Sequence, residues 1–139
     1  DEIFSIDRMR EMIRQSDYIV VASPLTKETR GLVGVAEIAA MRNTAVLINV
    51  GRGPVVEEAA LVAAHRERRI GGAALDVYDE EPLPPSHPYW ALDNVLISPH
   101  CADHVQGWLE AAVEFFISNY RRFASGEPLR NVVDKEAGY

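Results

Sequence analysis

The sequence predicts an α/β domain built on a parallel sheet, and two observations carry that prediction. Four short apolar runs, within "SDYIVVASP", "TAVLINVG", "GGAALDV" and "DNVLISPH", show no polar-apolar alternation, as expected of strands buried on both faces. Stretches of helical spacing separate the early runs, so consecutive strands are joined by right-handed βαβ crossovers.

The elements follow in order. Ile6, Met9, Met12 and Ile13 recur at helical spacing through Gln15, and residues 18–22 then form a strand stopped by Pro24. "GVAEIAAMRN" places Val35, Ile38, Ala39 and Met41 on a second helix, and "TAVLINVG" is the strand that glycine ends. "EEAALVAAHRERR" opens acidic and closes basic, as a helix dipole favours, before the third strand, "GGAALDV". His65 is assigned to an exposed, basic helix end. "YDEEPLPPSHPYWAL", with Pro82, Pro84, Pro85 and Pro88, reads as a long irregular loop in which His87 has no assigned role. After the fourth strand, a closing helix is expected over residues 103–124, with Val105, Trp108, Leu109, Ala112, Val113, Phe116, Ile117 and Tyr120 as a wide apolar stripe.

With 139 residues, 47% of them hydrophobic, the chain has the size of one globular domain able to bury a core. The domain is expected over residues 1–125, with 126–139 as a carboxyl-terminal tail. A formal net charge of -7 argues against nucleic acid as a partner. No apolar run nears the roughly 20 residues needed to span a bilayer, and the acidic start "DEIFSIDRMR" lacks the sections of a signal peptide. Cys101 is the one cysteine, so nothing demands an oxidising compartment, and the cytoplasm is the expected location.

In open parallel sheets ligands gather beyond the carboxyl ends of the strands. "ASPLT", "NVGRG", "LDVYDEEP" and "SPHCAD" should therefore converge on one rim. Arg52 stands there between Gly51 and Gly53, glycines that let a backbone approach a ligand closely. Its planar fork suits a carboxylate, although an arginine at such a position also caps helix ends or pairs with a neighbour such as Glu57. His100, following Pro99, can exchange protons near neutral pH, and Glu81 could favour its protonated form. Trp90 and Trp108 are read as packing residues and assigned to no site.

"NVGRGPVV", "GAALDVYDEEPLP" and "NVLISPH", in this order and spacing, resemble the D-isomer-specific 2-hydroxy-acid dehydrogenases, glyoxylate and hydroxypyruvate reductase-like members in particular. The resemblance runs through "SDYIVVASPLTKETRGLV" and "VVEEAALVAA" to the terminal "NVVDKEAGY". It implies a Rossmann-like NAD(P)-binding domain, its carboxyl-terminal part, without the first βαβ unit. It also implies hydride transfer between NAD or NADP and a small 2-keto or 2-hydroxy acid, in an enzyme that is a homodimer at full length. By motif, Arg52 would hold the substrate carboxylate and keto oxygen. His100 would be general acid in reduction and base in oxidation, and Glu81 would orient and charge it. Asp76 would contact the nicotinamide end of the cofactor, with Pro24, Val50, Gly51, Arg52, His100 and Ala102 along its path.

A dinucleotide-binding half normally opens with a strand, G-x-G-x-x-G and a helix, and no such run occurs here; Gly31 and Gly34 lack the spacing and take a loop role. The chain therefore reads as the carboxyl-terminal portion of a longer enzyme, inactive by itself, with an exposed edge at the first strand and an uncovered closing helix. Two further readings stay open. One is a non-catalytic NAD-binding or corepressor-like interaction module, since relatives of that kind keep the triad. The other is a metal site through His100, Cys101 and His104, disfavoured because no further ligand is evident and the expected metal is none.

Overall fold

The computed structural model describes residues 2–137 and divides the chain into two compact units, Asp1–His100 and Cys101–Tyr139. The first unit holds α1 (Met9–Gln15), β1 (Tyr18–Val21), α2 (Val35–Ala40), β2 (Val46–Asn49), α3 (Glu58–Arg66), β3 (Gly72–Leu75) and β4 (Val95–Ile97). The strands form one four-stranded sheet in the order β1-β2-β3-β4, every neighbouring pair parallel. The expected α/β class with a parallel sheet is what the chain adopts, and each strand and helix read from the apolar pattern is present.

Register explains which side chains make the core. Ile19, Leu47, Ala73 and Val95 lie in one row across the sheet, and Val21, Asn49, Leu75 and Ile97 in the next but one. Against this face pack Ile13 of α1, Ile38 of α2, and Leu61, Val62 and Ala64 of α3, the helices lying side by side. Leu47 and Leu61 are essentially inaccessible, and burying a leucine side chain contributes about 2 kcal/mol. The opposite face of the sheet is different. Tyr18, Val20 and Leu96 are exposed there, with Val46, Ile48 and Ala74 half-buried between them.

This corrects the expectation of strands buried on both faces. Within the first unit one helical layer covers one face, so β1 alternates exposed and buried residues despite its uniformly apolar sequence. An apolar run records what a strand can tolerate, and its neighbours decide what is buried. β1 is an edge strand, as expected, since only β2 pairs with it among the described residues.

Three short 3-10 turns were not legible in the apolar pattern: Ile6–Arg8 before α1, Gly53–Val55 after β2, and Pro88–Ala91 inside the proline-rich loop. Gly31 sits in a turn whose N–H donates to Pro54, and Gly34 starts α2, its N–H donating to Glu37 Oε2. His65, expected at an exposed helix end, is 1% exposed. The amphipathic turn of α3 points its ring at the core beside Asn94, and the basic residues after it take the solvent.

In the second unit α4 runs over Trp108–Ala124, so the closing helix starts later than residue 103. Residues 102–107 instead form turns, with His104 N–H bonded to Cys101 O and Gly107 at a φ of 79°. Val105 thus leaves the helical stripe. No residue of α4 is buried, and Leu109, Val113, Phe116, Ile117, Tyr120 and Phe123 are exposed. Asn119 and Arg122 tie the helix to the segment after it through Arg130 and Pro128. No helix among the described residues is long and apolar enough to cross a membrane.

Candidate active site

The strand ends build the site. β2 closes on Asn49, which is 1% exposed, and a buried amide needs partners. It finds them in the next turn: Gly51 N–H donates to its Oδ1 and its Nδ2 donates to the Arg52 carbonyl, both at 3.1 Å. Asn49 thereby folds the loop back over the strand end. The neighbouring glycines do the rest. A Cβ on Gly51 would come within 2.7 Å of the Ser23 carbonyl after β1, and one on Gly53 within 2.0 Å of the Tyr78 backbone after β3. The close approach that the glycines permit is therefore to protein backbone on either side, and it locks three strand-end loops together.

Arg52 stands exposed on this locked loop. Its Nη1 donates to the Gly51 carbonyl at 2.7 Å, not to Glu57 as a capping or salt-bridging role would require. Its charge still reaches the next loop, since it helps to lower the Glu81 carboxyl.

After β3, Asp76 is buried and accepts from the Ser98 hydroxyl, which joins the ends of β3 and β4. Tyr78 strengthens that joint, with its hydroxyl 2.9 Å from Leu75 O and 2.8 Å from Ser98 O. The Tyr78 N–H turns to Glu81 Oε1 at 3.0 Å, while Glu81 Oε2 lies 2.7 Å from His100 Nδ1. The Glu81 carboxyl thus bridges a backbone amide and the imidazole. Burial pushes this carboxyl up, but the His100 hydrogen bond, the Tyr78 N–H and the charges of His100 and Arg52 outweigh it and hold it below the ordinary value. His100 itself has a φ of 53°, in the left-handed region that costs a non-glycine residue roughly 1 kcal/mol or more. In that conformation, right after Pro99, its ring meets Glu81.

A cavity of about 680 Å³ opens beside the pair, lined by Tyr78, Glu81, Leu83, Trp90, Ile97 and His100 among others. Its walls are chiefly apolar, which strengthens any charge-assisted contact made at its polar end.

Of the residues singled out from sequence, the structure gathers Arg52, Glu81 and His100 by contact or charge. Pro24 and Val50 are exposed on the loops after β1 and β2, and Gly51 is buried between them. Asp76 is at the end of β3, while Ala102 falls in the second unit, in the turn after Cys101. His104 stacks on Trp108 at 5.4 Å within that unit. Among the described residues no group of three or more His, Cys, Asp or Glu side chains is arranged to hold a metal ion.

Sequence reasoning missed Asn49, Tyr78, Ser98 and Trp90. The asparagine was visible as a polar residue ending an apolar strand. Trp90 carried no such signal; its Nε1 donates to Pro84 O, which leaves the indole as a cavity wall.

Comparison with known proteins places this geometry. Residues 1–102 match the family model described as the D-isomer specific 2-hydroxyacid dehydrogenase, NAD binding domain. A glyoxylate reductase from Aeropyrum pernix is 41% identical over 128 residues, 92% of this chain and 38% of the relative. A D-isomer specific 2-hydroxyacid dehydrogenase from Xanthobacter autotrophicus Py2, solved in complex with NADPH and MES, superposes with a TM-score of 0.87 at 44% identity, over 96% of this chain and 54% of that one. An NADPH-dependent glyoxylate/hydroxypyruvate reductase from Sinorhizobium meliloti, solved with NADP and sulfate, gives a TM-score of 0.89 at 34% identity, over 98% of this chain and 44% of that one. The chain spans about half or less of the length of these relatives.

Proposed function

We propose that this chain, which belongs to the D-isomer specific 2-hydroxyacid dehydrogenase family, supplies the proton-transfer and carboxylate-binding side of an NAD(P)-dependent reductase of small 2-keto acids such as glyoxylate or hydroxypyruvate. A homodimeric enzyme of the cytoplasm completes the reading. The observation that carries it is the 2.7 Å contact between His100 Nδ1 and Glu81 Oε2, with the Arg52 charge acting on the same carboxylate.

The described residues fit the nicotinamide end of such a cofactor. Val50 and Pro24 offer exposed surface at the carboxyl ends of neighbouring strands, and the buried Asp76 carboxylate closes the next one. When bound, the cofactor supplies the hydride. The chain's own residues manage charge and proton. Arg52 holds the substrate carboxylate and stabilises the negative charge that grows on the keto oxygen. With Nδ1 engaged by Glu81, the His100 ring turns Nε2 to the substrate, gives its proton to that oxygen in reduction and takes it back in oxidation. Glu81, anchored by the Tyr78 N–H, fixes the ring's orientation and favours its charged form.

The 139 residues carry no G-x-G-x-x-G turn, so the isolated chain is expected to reduce neither glyoxylate nor hydroxypyruvate at an enzyme's rate. Substituted for the matching residues of the Aeropyrum pernix glyoxylate reductase, it should restore glyoxylate reduction with NADH or NADPH. That activity should fall by about 100-fold or more in R52A and in H100A. A folded chimera whose turnover ignores both substitutions contradicts the assignment.

A further inference from the structure

The Glu81 loop is rich in proline, yet proline restricts only local φ and leaves open where the loop lies as a body. The Glu81–His100 contact joins two different loops, and a hydrogen bond of 2.7 Å tolerates little displacement. Something must hold the Glu81 loop in place.

Beyond Glu81 the loop meets another element. His87 Nε2 lies 2.9 Å from Oε1 of Glu58 in the first turn of α3, and the two side chains are only 13% and 25% exposed. On the other side of the ring, Nδ1 accepts the Tyr89 N–H at 3.2 Å. The neutral tautomer with its proton on Nε2 satisfies both contacts at once. Tyr89 is buried against the His87 ring at 4.6 Å and faces Tyr78, whose N–H binds Glu81, at 6.4 Å. Asp79 belongs to the same partly buried cluster, its carboxyl pushed up by burial and by the neighbouring Glu58, with Arg30 opposing. α3 itself begins just after the Arg52 loop, so a tie to Glu58 is a tie to the carboxylate-binding side of the site.

We propose that His87 and Glu58 are positioning residues whose contact fastens the loop after β3 to the start of α3 and so holds the Glu81 carboxylate against the His100 ring. The inference rests on the reading of Glu81 and His100 as the proton-handling pair. His87 works through the loop: Tyr89 and Tyr78 relay its position to the backbone that presents Glu81.

Titration of the Glu81 side-chain carboxyl by carbon-detected NMR, in the 139-residue chain, tests this without any turnover. H100A should move the Glu81 midpoint upward, because burial is then less opposed. H87N keeps an acceptor for the Tyr89 N–H but cannot reach Glu58, and E58A removes the other end; both should move Glu81 upward too. E58Q keeps an oxygen within reach of the ring and should titrate like the parent chain. Simple loss of the Glu58 charge would act in the other direction, since removing a neighbouring anion eases ionisation. Folded H87N and E58A chains in which Glu81 titrates as in the parent, or lower, overturn the latch and leave the pair intact. A Glu81 that ignores H100A overturns the pair, and the latch with it.

Discussion

The loops after β2 and β3 reach the same rim by different means. The first is a short stretch of backbone pressed between its neighbours, held by Asn49 and by two glycines with no room for a side chain. The second is long and held by side chains: Tyr78 across the strand ends, Trp90 within the loop, His87 against α3. Arg52 thus sits on a mount that is either intact or broken. Glu81 sits on one that can be loosened in steps, so substitutions in the two loops should differ in kind.

The largest effect should come from G53A. Its Cβ would lie 2.0 Å from the Tyr78 carbonyl group, and overpacking against backbone costs about 3 kcal/mol or more. Urea denaturation measures the loss, and a midpoint close to that of the parent chain would break the comparison. Y78F removes one hydroxyl from the second loop and leaves the Ser98 carbonyl short of a donor, while Leu75 O keeps the Ser98 N–H; the same measurement should show a loss of about 1–2 kcal/mol. A Y78F chain as damaged as G53A would mean that both loops are all-or-none.

A smaller, pH-dependent effect separates the rim from the core. Burial lowers the His65 imidazole below its ordinary 6.5; Asn94 opposes this and the Arg68 charge adds to it. Among the described residues neither ring nitrogen and neither Asn94 amide atom makes a hydrogen bond of good geometry, so the Asn94 contact is too weak to offset burial. Because the unfolded chain takes up the proton first, stability attributable to this residue is full above about pH 6.5 and is lost as pH falls through the lower folded value. H65L should flatten that part of the acid limb when urea midpoints at pH 7 and pH 5 are compared, whereas an unchanged slope would assign the acid sensitivity to other groups.

Much of the fold was legible because a parallel sheet writes itself as apolar runs separated by helical spacing. Arg52, Glu81 and His100 were legible because each follows a strand, where such sheets present side chains. What could not be read depends on packing between distant segments. The exposure of Tyr18 and Val20 is set by which face the helices cover, the burial of His65 by the turn of α3, and the role of His87 by a glutamate on another element. The glycines beside Arg52 signalled close approach, but only the neighbouring loops reveal that Ser23 and Tyr78 are what they approach.

The claim on which the rest depends is that the guanidinium, the carboxylate and the imidazole act on one another at a single rim. The Glu81 carboxyl titration in R52A, H100A and the double variant tests it most directly. Each single substitution should raise the midpoint and the double should raise it further, since both charges lower this carboxyl in the intact chain. A Glu81 that titrates identically in the parent chain and in all three variants would contradict it.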